Sequence, residues 1–415
     1  MNGASHRLVQ VPPGVQCFVG AEARRRRRIE ETVVSVFEGW DYEEIIPPLF
    51  DYADVFATPG LAARTYSFVG RDGSLLALRP DFTSLLAKIA AGRLAHRPPP
   101  IRLYYSGEVL RYEPPKAGRQ SELFQMGLEH LGGDSRAADA EILAVAAECL
   151  ERLGIGGWVL ALGHVGAFHG LVRALSLGET AVDLLGQRME AKDAEGVRAV
   201  LAGASASGPA ADALVRLSGL AGDRASLEEA ARALECCPDA ARAVAELREV
   251  AEALVGLSAL ASDRGVLAEG ARALACCPDA ARAVTELREV ADALEAAGLG
   301  GHVAIDLGEV RGLDYYTGLV FRVYARGLGF EVGGGGRYDT LVARFGRPMP
   351  AVGFMLGLDR VALLLERQQA LPADDGAPAE RIEGGGLGAA LRQARARRAA
   401  GARVRFAAGG GGEAR

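Results

Sequence analysis

The 415-residue chain has almost no lysine and no surplus of positive charge. Of its 47 basic residues only Lys88, Lys116 and Lys192 are lysines, and 53 acidic residues leave a formal net charge of −6. A dedicated nucleic-acid binder carries a basic excess, so tRNA or DNA is not expected as the main partner. The dominance of arginine, with abundant Ala and Gly, reads as a coding bias toward GC-rich codons. The run Arg24 to Arg28 is accordingly assigned to the exposed, partly snorkelling side of an amphipathic helix continuing through Ile29, Val33, Val34 and Phe37. The six cysteines (Cys17, Cys149, Cys236, Cys237, Cys276, Cys277) have neither the spacing of a small secreted disulfide domain nor a Cys-x-x-Cys zinc pattern. The two vicinal pairs read as small buried hydrophobes. No apolar stretch follows a positive start, and no uncharged apolar run is long enough to span a bilayer. No signal peptide and no membrane partner are expected, and the location expected is the cytoplasm. His96, His164, His169 and His302 show no paired metal spacing, and there is no Gly-x-x-x-x-Gly-Lys-Ser/Thr loop. Neither a metal nor a bound cofactor is expected.

What is present is a 49% hydrophobic chain of a length that suits two or three domains. Helical spacing covers residues 21–38, and Trp40 to Ile46 reads as a strand stopped by Pro47-Pro48. A hairpin is expected from Thr65–Val69 and Ser74–Leu78 around Gly70-Arg71-Asp72-Gly73. Helices follow at Ser84–Arg93 and Ala137–Leu153, and strands at Ile101–Tyr105, Gly107–Tyr112, Glu122–His130 and Trp158–Gly163. From about 170 to 297 strand signals vanish and Ala, Leu, Arg and Glu dominate. Within this stretch a unit of 40 residues repeats, at about 213–252 and 253–292, with Ala231-Arg-Ala-Leu-Glu-Cys-Cys-Pro echoed by Ala271-Arg-Ala-Leu-Ala-Cys-Cys-Pro. Strands return at His302–Asp306, Leu319–Tyr324 and Phe330–Val332, and a helix at Gly357–Arg367. In the Gly, Ala and Arg-rich tail, Leu387–Ala400 reads as a helix and Arg403–Ala407 as a strand. The organisation expected is a core in two parts (1–170 and 298–367), a helical insertion (171–297) and a short tail (368–415). Its two core parts make one α+β domain with a mostly antiparallel sheet flanked by helices.

Two blocks carry the chemistry. Arg311-Gly-Leu-Asp-Tyr-Tyr-Thr-Gly318 and Gly333-Gly-Gly-Gly-Arg-Tyr-Asp339 place a cation, several aromatics and a glycine-rich stretch, read as a turn, within about 30 residues. That set suits a small zwitterion such as an amino acid: Arg offers a planar fork to a carboxylate, and Tyr a polar tip on an apolar body. Glu129 sits inside a strand pattern, where a buried carboxylate needs a partner. Asp81 could pair internally with Arg79, and Tyr315 could serve as core.

Three further segments resemble the signature motifs of class II aminoacyl-tRNA synthetases, specifically the histidyl branch. They are the first helix and strand ending in Pro47-Pro48; Pro100-Ile-Arg-Leu-Tyr-Tyr-Ser-Gly-Glu-Val-Leu-Arg-Tyr-Glu-Pro-Pro-Lys-Ala-Gly-Arg119 with Phe124-Gln-Met-Gly-Leu-Glu129; and Gly353-Phe-Met-Leu-Gly-Leu-Asp-Arg360. The two blocks quoted above resemble the histidine-specific signatures of that branch. The resemblance covers about residues 10–170 and 300–366. It implies a histidine pocket in which Asp81 and Thr83, with Gln125 nearby, hold the α-ammonium. Glu129 and Tyr316 would bond the imidazole, Arg311 the carboxylate, and Tyr315 would line the site. Arg111, Arg119 and Arg360 would face a phosphate or ATP-like region.

Two relatives share this pattern, histidyl-tRNA synthetase and the regulatory subunit of ATP phosphoribosyltransferase. Arg79-Pro80-Asp81-Phe82-Thr83 resembles the regulatory form, where the synthetase has Arg-Pro-Glu-Gly-Thr; Asp is about 1.5 Å shorter than Glu. Ser121 and Phe124 in the second motif, and Arg344-Phe-Gly-Arg347 with Pro350-Ala-Val-Gly353, point the same way. The tail is also shorter than an anticodon-binding domain of roughly 90 residues. The resemblance therefore implies a non-catalytic subunit with histidine as allosteric ligand. It would dimerise through the first motif and join the short-form catalytic subunit of ATP phosphoribosyltransferase in a hetero-oligomer serving the first step of histidine biosynthesis. The alternative implied is a histidine-adenylating enzyme without an anticodon domain.

Overall fold

The computed structural model describes residues 10–112, 120–133, 135–219, 278–306, 309, 315–371, 380–382 and 386–406. Arg119, Arg311, both cysteine pairs and most of the duplicated segment lie outside them. Helix α1 (Gly20–Gly39) buries Ile29, Val33, Val36 and Phe37, one stripe at helical spacing. The strand expected after it is only β1 (Glu43–Glu44), because Asp41 adopts a left-handed conformation (φ 61°) and breaks extension. Next come β2 (Phe50–Tyr52), β3 (Ser67–Val69) and β4 (Leu75–Leu78), a small antiparallel sheet in the order β2-β4-β3. The expected hairpin pairs Val69 with Leu75. Asp72 fixes its turn by accepting from the Ser74 amide at 3.0 Å, and Gly73 takes φ +86°.

Helix α2 (Thr83–Ala91) leads to the long strands β5 (Ile101–Leu110) and β6 (Glu122–Leu131). Helix α3 (Ser135–Arg152) and strand β7 (Trp158–His164) follow. Then come helices α4 (Val165–Leu175), α5 (Glu179–Glu190), α6 (Ala194–Gly203), α7 (Pro209–Gly219) and α8 (Pro278–Ala296). The chain returns to sheet with β8 (Val303–Ile305), β9 (Leu319–Ala325), β10 (Gly333–Arg337) and β11 (Ala351–Gly357), and α9 (Leu358–Arg367) closes this part. Among the described residues eight strands make one sheet, ordered β1-β5-β6-β11-β10-β9-β7-β8. It is antiparallel except at its two edges, where β1 pairs with β5 and β8 with β7 in parallel. The class II core expected from the motifs is the fold observed.

Side-chain alternation gives this sheet two different faces. Tyr104, Met126, Leu128, Phe321, Val323, Phe354 and Leu356 point to one side, into a core shared with α1, α3, α4, α8 and α9. Leu103, Tyr105 and Met355 point to the other, under α2. Arg347 secures α2 there, donating to the carbonyls of Ala90 (3.1 Å), Leu94 (3.2 Å) and Arg97 (2.8 Å) at the exposed end of that helix.

Two expectations are corrected. Phe330–Val332 is not a strand, and Gly333–Gly336 is not a turn: the strand is β10, paired with β9 and β11. Four glycines carry no side-chain alternation to read, so the strand pattern is invisible and the residues read as turn chemistry. The backbones here pack too closely for other residues. A Cβ on Gly335 would lie 2.1 Å from the Gly353 carbonyl oxygen.

The chain divides into two compact units, one of residues 1–17 and 28–371 and the other of 18–27 and 372–415. In the second, β12 (Glu380–Ile382) pairs in parallel with β13 (Val404–Phe406), joined by α10 (Gly386–Ala399), and Ile382, Ala390 and Ala394 are buried together.

Replacing Arg347 by Ala removes three charge-assisted bonds to carbonyls. It is expected to lower unfolding free energy by about 2 kcal/mol, read from urea midpoints at unchanged slope.

Candidate functional site

The site lies on the α2 side of the large sheet. Successive cross-strand rows there read Leu103–Glu129–Gly353–Gly336, Tyr105–Gly127–Met355–Gly334–Arg322, and Gly107–Gln125–Gly357. Six glycines strip this face of side chains at its centre. Functional groups lie in the notches that result. A Cβ on Gly353 would fall 1.7 Å from Oε2 of Glu129, and one on Gly127 2.5 Å from the Tyr105 hydroxyl. The glycines are thus a floor on which Glu129 and Tyr105 lie flat.

Glu129 is 2% exposed and both its oxygens are engaged. Thr83, the first residue of α2, donates its hydroxyl to Oε1 at 2.7 Å. Tyr338, fully enclosed beyond the end of β10, donates to Oε2 at 2.5 Å. Burial pushes this carboxyl up to about 8, with the Asp81 charge adding to the rise and the Tyr338 and Thr83 hydrogen bonds opposing it. Such a group is protonated at neutral pH.

Asp81 precedes α2 and accepts from the Ser84 amide (2.7 Å) and hydroxyl (3.1 Å), capping the helix. Burial raises its pKa; the Ser84 amide and the nearby Arg111 charge oppose that rise. Arg79 does not pair with Asp81. It donates to the Pro47 and Glu108 carbonyls and reaches the Glu108 carboxylate at 4.0 Å. Arg111 donates to the Pro80 carbonyl at 2.7 Å, so its charge stands beside Asp81. Gln125 is buried two positions along β6 from Gly127. Tyr315 and Tyr316 form an aromatic wall with ring centroids 4.4 Å apart, and Tyr315 meets Tyr338 edge-on at 6.2 Å. Tyr105 stacks on Phe82 at 4.1 Å.

Asp81, Thr83, Gln125, Glu129, Tyr315, Tyr316 and Arg111 therefore gather at one place. Arg360 lies beside Gly357 at the edge of the floor, where it donates to the carbonyl (2.8 Å) and carboxylate (2.9 Å) of Glu331 and lies over the Phe330 ring. The bond expected between Glu129 and a ligand is joined here by two protein donors, of which Tyr338 was not foreseen. Tyr105 and Arg322 were also missed. Period-two reading of Gly334, Gly336 and Tyr338 would have put Tyr338 on the face of Glu129.

This arrangement, a mostly antiparallel sheet with a glycine floor and buried acids under an aromatic wall, defines a class II aminoacyl-tRNA synthetase-like core. A family model described as histidyl-tRNA synthetase matches residues 14–257 and 250–361. The chain is 37% identical over 371 residues to the ATP phosphoribosyltransferase regulatory subunit of Desulforamulus reducens, covering 89% of this chain and 82% of that one. It is 36% identical over 404 residues to the subunit of the same name from Moorella thermoacetica, covering 97% and 92%. A crystal structure titled as an ATP phosphoribosyltransferase regulatory subunit/histidyl-tRNA synthetase from Bacillus halodurans C superposes with TM-score 0.74 at 26% identity, covering 98% and 94%. The chain belongs to the histidyl-tRNA synthetase-like family, in the branch of ATP phosphoribosyltransferase regulatory subunits.

The raised Glu129 pKa has a sign. Above about pH 4.5 the unfolded chain has lost a proton that the folded one keeps until about pH 8. This group's stabilisation is complete at low pH and is lost as pH rises through 8. The expected slope is at most about 1.4 kcal/mol per pH unit. The E129Q variant should flatten that part of the profile, measured by urea unfolding between pH 5 and 9.

Proposed function

We propose that this chain acts as the regulatory subunit of an ATP phosphoribosyltransferase, without adenylating activity of its own. In this reading it binds free histidine on the glycine floor and, in the cytoplasm, makes a short-form catalytic subunit competent to join ATP to phosphoribosyl pyrophosphate. The observation that carries the reading is the Glu129 box beside Asp81: two buried carboxyl groups under three tyrosines, matched to a ligand with an imidazole and an ammonium group. Feedback follows if histidine binds the less active state of the complex more tightly, since a ligand shifts an equilibrium only by its differential affinity.

A self-paired dimer through the first motif is supported by Ile46 and Leu49, 85% and 46% exposed at its end, and by the outer face of the β2-β4-β3 sheet that directly follows it. Phe50, Tyr52 and Phe68 stand there 49%, 56% and 40% exposed, with Leu76 and Leu78 on the same face, and large contiguous apolar patches mark interfaces. Changing Phe50 and Phe68 together to Ser should shift the chain from dimer to monomer in sedimentation velocity.

The function is tested by two assays run side by side. Product should form from the short catalytic subunit only when this chain is added, and should fall under saturating histidine. Histidine-dependent ATP–pyrophosphate exchange should be absent; robust exchange would establish the adenylating alternative. Asp81→Ala should weaken histidine binding by about a hundredfold in calorimetry, the loss that follows when a buried cation is deprived of its partner.

A further inference from the structure

The strand that walls the pocket is braced from behind. On β10, Gly334 and Gly336 face the site and Tyr338 follows in the same phase, while Arg337 points to the opposite, helix-packed face of the sheet. There its guanidinium is 6% exposed and meets Asp139 of α3, Nη2 at 2.6 Å and Nε at 3.0 Å from Oδ1. Nη1 donates to Asp339 Oδ1 at 3.0 Å. Cross-strand neighbours on this rear face are Val352, His130 and Arg102, and Arg102 pairs with Glu141, two residues beyond Asp139 on α3. His164 and Glu286 complete the charged surroundings of Asp139.

From this pair two arms run forward. The Asp339 carboxylate also accepts the Ala351 amide at 3.0 Å, and its own amide donates to the Thr317 hydroxyl at 3.0 Å. The Arg337 carbonyl accepts the Thr317 amide at 2.7 Å, and the Tyr338 amide donates to the Ala351 carbonyl at 2.7 Å. The backbone that carries the aromatic wall, Tyr315–Thr317 on one side and Tyr338 on the other, is thus tied to Arg337 and Asp339. Arg337 adjoins the Glu129 box through the backbone it shares with Tyr338, and the side-chain bonds that it makes to Asp139 and Asp339 lead toward the wall.

We propose that Arg337 and Asp139 are positioning residues: a buried ion pair behind the sheet that fixes Tyr315, Tyr316 and Tyr338 in front of it, and so sets the affinity of the pocket. The inference rests on the reading of this pocket as a histidine site. It differs from plain structural support in one respect. If the pair only stabilises, an apolar pair of similar volume can replace it. If it positions, the fork to Asp339 is irreplaceable, since an apolar side chain cannot donate.

The full chain is made as R337M, as D139N and as the double variant D139L/R337M, with T317V as a variant that leaves the ion pair in place. Both single changes at the pair should lower the melting temperature, and the double variant should recover most of that loss. Amide hydrogen exchange at Thr317 and Asp339 should nevertheless stay at least tenfold faster than in the unchanged chain. Calorimetric histidine affinity should stay at least tenfold weaker. T317V should reproduce the faster exchange at Asp339 with little change in melting temperature. Recovery of exchange and affinity together with stability in the double variant would overturn the proposal, as would unaltered exchange in T317V. Should the unchanged chain bind no histidine, the pocket reading fails, and exchange at Thr317 and Asp339 still decides whether the pair holds the wall.

Discussion

A carboxyl group buried in a sheet must be given hydrogen-bond donors, and much of this molecule is arranged to meet that need at Glu129. One donor comes from the first turn of α2, the other from a residue 209 positions along the chain. Each donor demands support of its own. Thr83 is placed by Asp81 capping α2 and by Arg347 gripping the far end of that helix. Tyr338 is placed by β10, and β10 can lie where it does only because its first four residues, Gly333–Gly336, lack side chains. Desolvation that would make a lone carboxylate intolerable instead pushes this carboxyl up to about 8.

The two faces of the sheet divide the labour. The rear face is packed with branched and aromatic side chains against five helices and carries one polar layer, in which Arg102 and Arg337 meet Glu141 and Asp139 of α3. The front face is bare at its centre. Buried ion pairs contribute little net stability, so the rear pairs are better understood through geometry: they specify the register of α3 on the sheet and, through Arg337, the wall of the pocket.

How much of this the sequence disclosed depends on the range of the interaction. Local chemistry was readable. The Gly70–Gly73 turn, the stripe of α1, and the long strands β5 and β6 follow from spacing and turn residues a few positions apart. Asp81, Thr83 and Glu129 were reached through motif resemblance and do converge. Tyr338 and the Asp139–Arg337 pair were not reached: period two could give the face of Tyr338 but not its partner, and partners 209 and 198 residues apart are joined only by the fold. Strand β10 was misread for the opposite reason: glycine shows its neighbours nothing, and the close approach that demands it exists only after folding.

If the glycine floor holds histidine as proposed, it also ties ligand concentration to the stability of the fold. A molecule resting where side chains are missing supplies contacts that in another protein would be covalently part of the core. Its binding energy then enters the folding equilibrium by mass action, about 2.7 kcal/mol at a hundred times the dissociation constant. A subunit built this way is sturdiest when its metabolite is plentiful and most open to proteolysis when the metabolite is scarce. Its abundance in the cell would then follow the same chemical signal as its conformation.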